Sequence, residues 1–419
     1  MKIKINHIAK MEGHAGFMAS VLQGDVKSAK MEVQEGIRLI EGILIGRKYY
    51  DVPIVAQRIC GICPVVHNLT AIKAIESAFG VEVSSETKKL RTLLEYAQII
   101  HSHSLHLFFL SLADFLDIDN DLKLLEKYPE EAKMAMKIRE FGLDIVRTIG
   151  GRAVHILSNE TGGFKKVPSR EEIQKLIDKG EEIFRCTVDL ANFFAKIKLP
   201  EFFRETEYVA LSKKNHYAVY DGDIISSKGL RISVADFENN FHELQKQREV
   251  IKRMEHNGQS YMVGAIARGN INFGQLTPMA FDYLEGLKIK IPDYNPFHNI
   301  LFQMAELLHF VEESRRLLTE ISKMDLSKAL TGHYEIKEGT GVAAVEAPRG
   351  TLYYHLEIDK KGYVKNANII TPTAQFLSNL EDDIAAYIPG IINLSDKEKE
   401  RKLRAFIRAY DPCISCAVH

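Results

Sequence analysis

Cysteine is scarce in this chain of 419 residues: there are five, at Cys60, Cys63, Cys186, Cys413 and Cys416. That is too few for a disulfide scaffold. Charge imbalance is missing as well, because 55 Lys and Arg face 56 Asp and Glu for a formal net charge of -1. Without a basic stripe the chain has no electrostatic footprint for nucleic acid. No run of about eighteen apolar residues occurs, so direct membrane insertion is not expected. The opening MKIKINHIAKMEGH carries neither a secretory apolar core nor an Arg- and Ser-rich transit pattern, and the expectation is a soluble, cytoplasmic chain. Low-complexity linkers and fixed-period repeats are also absent. With 46% hydrophobic and 26% charged positions, what remains is a globular chain able to bury a large core.

Periodicity then sorts the chain into elements. The N-terminal stretch mixes short alternating runs with Gly13 and Gly16 and predicts a strand or hairpin. A helix is predicted over EGIRLIEGILIG, with Ile37, Ile40 and Leu44 on one face and Gly46 as its stop. Pro64 suits a first helical position and Gly80 an end, which places Cys63 at a helix N-terminus. Ser84 and Ser85 cap a long helix from Glu86 to about Phe115, with Leu90, Leu93, Ala97, Ile100, Ser104 and Leu107 as its stripe. Residues 120–200, 236–256, 298–325 and 395–410 repeat the helical spacing. NHYAVYDG, LRISV, GTLYYHLEID and YVKNANII read as antiparallel strands. The expected fold is α+β and mainly helical, with long helices in a central bundle, a smaller antiparallel sheet, and one domain over residues 1–419.

Four of the five cysteines form two Cys-x-x-Cys pairs, in RICGICPVVH and DPCISCAVH. Four thiolates suit one soft or borderline metal. A structural zinc held by a scaffold is one reading, but zinc modules keep their pairs close, whereas these lie near opposite ends of the chain. Closing so long a loop costs roughly 2.6 kcal/mol more entropy than closing one of about eighteen residues. If the pairs share a metal, a large fold must already bring the two chain ends together, as in a buried active site. A helix N-terminus lowers a thiol pKa, which favours ligation by Cys63. His67, one turn further along, can donate to that sulfur, and His419 stands three residues after Cys416.

The joint occurrence of RICGICPVVH and DPCISCAVH, with KMEGH, EGILIGR, APRG and TPT between and before them, resembles the large, catalytic subunit of nickel-iron hydrogenases. The resemblance covers the whole chain. It implies nickel bound by Cys60, Cys63, Cys413 and Cys416, with Cys63 and Cys416 bridging to an iron that carries one carbon monoxide and two cyanide ligands. It implies that Cys413 is the first base when dihydrogen is split and that Glu12 receives the proton from that sulfur. Arg349 would lie over the open face of the metals, with Asp411 orienting it, and Pro372 and Thr373 would contact a cyanide. Glu41, the carbonyl of Ile369 and His419 would hold a magnesium ion. A chain ending in histidine is also what the family leaves after C-terminal processing. One departure stands out: the His-Asp-His segment of the family's respiratory members appears as His101-Ser102-His103, which removes a carboxylate near the arginine. His101, His103 and His106 are expected to be core or surface histidines rather than a further metal site.

Only Cys186 is left once four thiols are assigned, and an iron-sulfur cluster needs about four ligands. GTGVAA at 339–344 fits G-x-G-x-x-A, but Pro348 interrupts the helix that a dinucleotide site requires. Electron transfer therefore calls for partners. The resemblance implies an iron-sulfur small subunit and further flavin- or NAD(P)-binding subunits, with NAD(P) as the acceptor. A deazaflavin-reducing enzyme, a hydrogen sensor and the four-cysteine zinc scaffold remain as alternatives.

Overall fold

Proline and glycine punctuate the first long helix as their positions suggest. In the computed structural model, which describes residues 1–118, 120–244 and 250–419, helix α1 spans Pro64–Phe79, with Cys63 at its N-cap and Gly80 closing it at φ 66°. The left-handed conformation lets the Gly80 N–H reach back to Glu76 O and Ser77 O. Helix α2, Ser85–Ser104, starts where the Ser84 side chain accepts from Thr87 N at 3.1 Å. It runs on through a π-helical stretch, Leu105–Ser111, to Leu112–Phe115. The predicted stripe Leu90, Leu93, Ala97, Ile100, Ser104 and Leu107 is fully buried.

Helices α3 (Pro129–Gly150), α4 (Arg170–Phe194), α5 (Ala265–Asn272), α6 (Asn299–Ile321), α7 (Pro372–Ile391) and α8 (Asp396–Ala409) follow. Capping boxes at Ser169/Glu172 and Ser395/Glu398 open α4 and α8. Helices α2, α3, α4 and α6 pack against one another as the central bundle. Burial of their apolar faces, at about 25 cal/mol per Å², dominates the stability of such an arrangement. Among the described residues no helix is long and apolar enough to cross a membrane.

Two three-stranded antiparallel sheets pack on other helices, the first against α7 and the second mainly against α1. One joins β1 (Lys2–Ile5), β2 (Ala15–Leu22) and β3 (Asp25–Val33), with Ile5 opposite Phe17 and Phe17 opposite Met31. The other joins β4 (Gly339–Ala347), β5 (Gly350–Ile358) and β6 (Val364–Ile370). The GTGVAA segment is the first half of β4, so its glycines open no helix. Gly341 instead lets α1 lie close on the sheet, since a Cβ there would come within 1.9 Å of Ala74 O.

Several expectations are corrected. The helix predicted over 35–46 is the single turn Ile40–Leu44, and Ile37 is exposed. Of NHYAVYDG and LRISV only Arg231–Ile232 forms a strand, apart from a bridge between Lys213 and His216. Outside the segments read as antiparallel strands, the short strand Tyr261–Met262 pairs in parallel with Glu207–Ser212. The helix predicted over 236–256 is one turn, Phe237–Asn240, followed by the antiparallel strands Phe241–Leu244 and Arg253–His256; residues 245–249 of that prediction lie outside the described residues. Aromatic packing overrides helical spacing there: the Phe241 ring sits 4.7 Å from Phe237 and 4.8 Å from His256.

Candidate metal centre

The two cysteine pairs reach one place by different local means. A 3-10 turn, Gln57–Ile59, delivers Cys60 in extended backbone, and Cys63 caps α1. The C-terminal pair follows α8 by way of Asp411, a buried non-glycine residue at φ 55°. Glu12 meets this segment as an isolated parallel bridge to Cys413, with Ile414 N donating to Glu12 O at 3.0 Å. The chain ends are thereby tied by backbone hydrogen bonds beside the four sulfurs.

All four sulfurs are buried and lie within 4.8 Å of one another. Cys60 and Cys413 are 3.4 Å apart, as are Cys63 and Cys416, while Cys413 and Cys416 are 3.1 Å apart. Hydrogen bonds from Cys413 and the other thiols hold the Cys60 thiol well below its ordinary value. Burial pushes Cys413 and Cys416 well above theirs. Cys63 goes up, not down as its helix position predicted: hydrogen bonds from Cys413 and Cys416 favour its thiolate, but the Cys60 sulfur and burial outweigh them. Protein groups alone thus favour a thiolate at Cys60 over the others. Only a bound cation lets all four deprotonate together, and this donor set fits one.

Arg349 hangs over the same cavity, which Cys63, His67, Pro348, Pro372, Thr373, Cys413 and Cys416 also line. Its Nε donates to Asp411 O and its Nη2 to Asp411 Oδ1, both at 2.7 Å. Its Nη1 is buried without a partner, a donor left over for a ligand. Asp411 is steadied from behind by Gln303 Nε2 at 3.2 Å, and Gln303 Oε1 lies 2.6 Å from His106 Nδ1. Ser102 is buried with its hydroxyl unpartnered, and Asp411 is the carboxylate that grips the arginine. Pro372 opens α7, and Thr373 Oγ1 accepts from Cys413 N at 3.1 Å. Glu12 Oε2 accepts from Cys413 Sγ at 3.1 Å and from Ser415 N at 3.0 Å.

His67 serves a different sulfur from the one expected. Burial depresses its pKa to about 3, so the ring is neutral and carries one proton. Its Nδ1 lies 2.8 Å from the Tyr354 hydroxyl and its Nε2 3.7 Å from Cys416 Sγ, not Cys63. If Tyr354 donates to Nδ1, the ring proton is on Nε2 and points at Cys416. Tyr354, on β5, was not singled out from the sequence. Its strand alternation marks it only as core.

Glu41, Ile369 and His419 also converge. His419 Nε2 lies 2.8 Å from Ile369 O and 3.8 Å from Glu41 Oε1, while its Nδ1 is 2.6 Å from Cys416 O. Burial lowers the pKa of this imidazole, and a neutral ring donates from only one of its nitrogens. One nitrogen then faces oxygens with a bare lone pair, which is what a cation between these atoms would use, and the donors fit magnesium. Glu41 is already partly compensated, by Ile369 N at 2.7 Å and by Lys252 Nζ at 2.9 and 3.0 Å. Lys252 lies in the segment read as helix, and nothing local in the sequence links it to Glu41. Cys186 is half-buried on α4, outside the four-sulfur group. His101, His103 and His106 are all buried and, among the described residues, belong to no group able to hold a metal.

The family model described as nickel-dependent hydrogenase matches residues 38–181 and 302–419. The alpha subunit of sulfhydrogenase 1 from Pyrococcus furiosus is 32% identical over 425 residues, covering 100% of this chain and 98% of the relative. The beta subunit of the NAD-reducing hydrogenase HoxS from Cupriavidus necator is 26% identical, covering 100% and 94%. Among solved structures, an NAD+-reducing [NiFe]-hydrogenase in the H2-reduced state superimposes with a TM-score of 0.89 at 27% identity, covering 100% of this chain and 99% of that one. This chain belongs to the nickel-dependent hydrogenase family, as the large subunit that carries the four-cysteine nickel-iron site.

Proposed function

We propose that this hydrogenase large subunit splits dihydrogen reversibly in the cytoplasm and passes the electrons through an iron-sulfur small subunit, and then flavin-bearing partners, to NAD(P). The observation that carries this reading is the convergence of four buried sulfurs from both ends of the chain within 4.8 Å. All 419 residues act as one catalytic unit, because the site draws on residues from Glu12 to His419. The nickel and iron, with carbon monoxide and two cyanides on the iron, supply the Lewis-acidic pair at which the hydrogen molecule is polarised.

The protein groups divide the remaining work. Cys60, Cys63, Cys413 and Cys416 hold the metals, and the Cys413 sulfur takes up the proton. That proton moves to Glu12 Oε2, 3.1 Å away, which the Ser415 amide keeps in place. Arg349 Nη1 is the donor available to one cyanide, with Asp411 fixing its plane. Thr373 and Pro372, which line the same cavity, would contact the other cyanide. With Tyr354 donating to its Nδ1, His67 donates to Cys416, and Glu41, Ile369 O and His419 would hold magnesium beside the C-terminal segment.

Electrons have no second metal group to move through among the described residues. A run of exposed apolar side chains ahead of Cys60 supports a docked partner: Leu39 is 64% exposed and Tyr50 57%, with Ile37, Ile43, Ile45 and Ile54 also exposed. The chain passes from these residues through Gln57–Ile59 into Cys60, so a partner covering them stands next to a ligand sulfur. The NAD(P) reading takes its support from the HoxS relative, an NAD-reducing hydrogenase, and the solved NAD+-reducing enzyme. Relatives at about this distance named F420-non-reducing give a deazaflavin acceptor less support. The test is infrared spectroscopy of the purified complex together with hydrogen-driven reduction assays. Bands of one carbonyl and two cyanides with NAD(P) reduction are expected. A lone zinc without those bands overturns the reading, and viologen reduction without NAD(P) reduction overturns the acceptor alone.

A further inference from the structure

Strands β4 and β5 are joined by only two residues, Pro348 and Arg349, between the paired Ala347 and Gly350. So tight a turn relies on Gly350 at φ 129°, where a Cβ would lie 2.5 Å from Val263 Cγ2. The residue that reaches the metal cavity is therefore mounted on the tip of a hairpin, and its aim depends on what holds that tip. Arg268, on the first turn of α5, donates from Nη1 to Ala347 O at 2.9 Å and from Nη2 to Pro348 O at 3.0 Å.

Its three other N–H groups are used as well. Nε and Nη2 bond the two oxygens of Glu306 at 2.6 and 2.7 Å, and Nη1 bonds Glu346 Oε2 at 3.0 Å. All five guanidinium donors thus have acceptors, on a side chain that is 0% exposed. Both carboxylates are anchored from the far side. Glu306 takes the Tyr217 hydroxyl and His103 Nε2, each at 2.7 Å. Glu346 takes Leu211 N at 2.8 Å and the Thr351 hydroxyl at 2.7 Å. The fork is fixed to α2, α5, α6 and β4 at once, and its two outermost donors end on the carbonyls of the residues just before Arg349.

We propose that Arg268 is a positioning residue for hydrogen splitting: by gripping the carbonyls of Ala347 and Pro348 it aims the free Nη1 of Arg349 at the ligands of the metal site. The inference rests on the role proposed for Arg349. Lysine cannot replace the fork, because an ammonium has three donors and no plane with which to span two carboxylates and two carbonyls. A purely structural Arg268 would instead serve only to neutralise Glu306 and Glu346, a task that lysine performs in part.

The test compares wild-type holoenzyme with R268K and E346Q, reading metal content, kcat and KM for dihydrogen, and the infrared cyanide bands. For R268K, nickel content near wild type, a cyanide band shifted, KM little changed and kcat down by about ten- to a hundredfold are expected. E346Q, which weakens one anchor of the fork, should move the same band less and lower kcat less. Unshifted cyanide bands with unchanged kcat per nickel in R268K overturn the inference, as does a loss of activity that merely tracks lost nickel. If R268K fails to accumulate, E346Q is judged by the same criteria, and wild-type bands with wild-type kcat there overturn it. Absence of cyanide bands from the wild-type enzyme would defeat the proposed function itself, a result distinct from either outcome.

Discussion

Two buried polar clusters stand side by side in this molecule and differ in one respect. Around Arg268 all five guanidinium donors meet acceptors on two carboxylates and two carbonyls, and the carboxylates are tied back by a tyrosine and by a histidine whose Nδ1 is the one ring atom left over. Around the sulfurs the pairing is incomplete. Arg349 Nη1 has no partner, the thiols oppose one another's ionisation, and His419 faces carbonyls with both nitrogens. Burying unpaired polar groups is costly, so the complete cluster marks framework and the incomplete one marks the place where something else binds. Glu95 is a third kind of case, buried with neither oxygen bonded and pushed well above the ordinary carboxyl range by burial.

Substitutions sharpen that contrast, and the largest effect is expected in the incomplete cluster. C60S should abolish hydrogen uptake while leaving the circular dichroism spectrum and most of the thermal stability in place; undiminished uptake would remove Cys60 from the ligand set. In the complete cluster the effect falls on stability instead. E306A leaves the Arg268 charge without its bidentate partner and should cost about 3–5 kcal/mol, read from denaturant unfolding. Its pH dependence has a definite sign. Burial tends to raise the Glu306 carboxyl, but Arg268 and His103 outweigh it and hold the group below the ordinary range. The stability it contributes is therefore complete above the usual carboxylate pKa and is lost as pH falls below it, so wild type and E306A should converge toward acid pH. A pH-independent difference would count against the charge pairing.

E12Q leaves the four cysteines and the Arg268 cluster unaltered and changes only the carboxylate that meets Cys413 Sγ. It should keep nickel content and fold while slowing hydrogen/deuterium exchange by about a hundredfold or more, in keeping with the loss of a positioned proton acceptor. Normal exchange would remove Glu12 from the relay. The smallest effect belongs to E95Q. A carboxyl whose pKa is raised on folding loses stability as pH climbs above its unfolded value, and an amide does not titrate. E95Q should therefore be at least as stable as wild type at neutral pH, with a gain of no more than about 1 kcal/mol by thermal unfolding. A clear loss of stability would show that the Glu95 carboxylate is paired.

Much of the fold was legible because its signals are local. Pro64 and Gly80 bounded a helix, Ser84 capped another, and the Leu90-to-Leu107 stripe found the core. The segment 236–256 was misread because Phe237, Phe241 and His256 stack across a hairpin, and packing of that kind does not show in spacing along the chain. The metal centre followed the same division. The four cysteines announced themselves by paired spacing, whereas Tyr354 and Lys252 are ordinary strand and loop residues until the chain is folded.

By itself the amino-acid sequence determined which atoms could bind metal: two chelating pairs, a histidine beside each, and too few other thiols for a cluster of the chain's own. It also determined that the pairs had to meet across nearly the whole chain. Tertiary structure alone decided which sulfur His67 serves, that Lys252 reaches Glu41, and that Arg349 is held at a hairpin tip by Arg268 from a separate helix. The physical reason is that hydrogen bonds are directional and short. Residue type says which donors and acceptors exist, but only the packing of distant elements brings a particular pair within three ångströms.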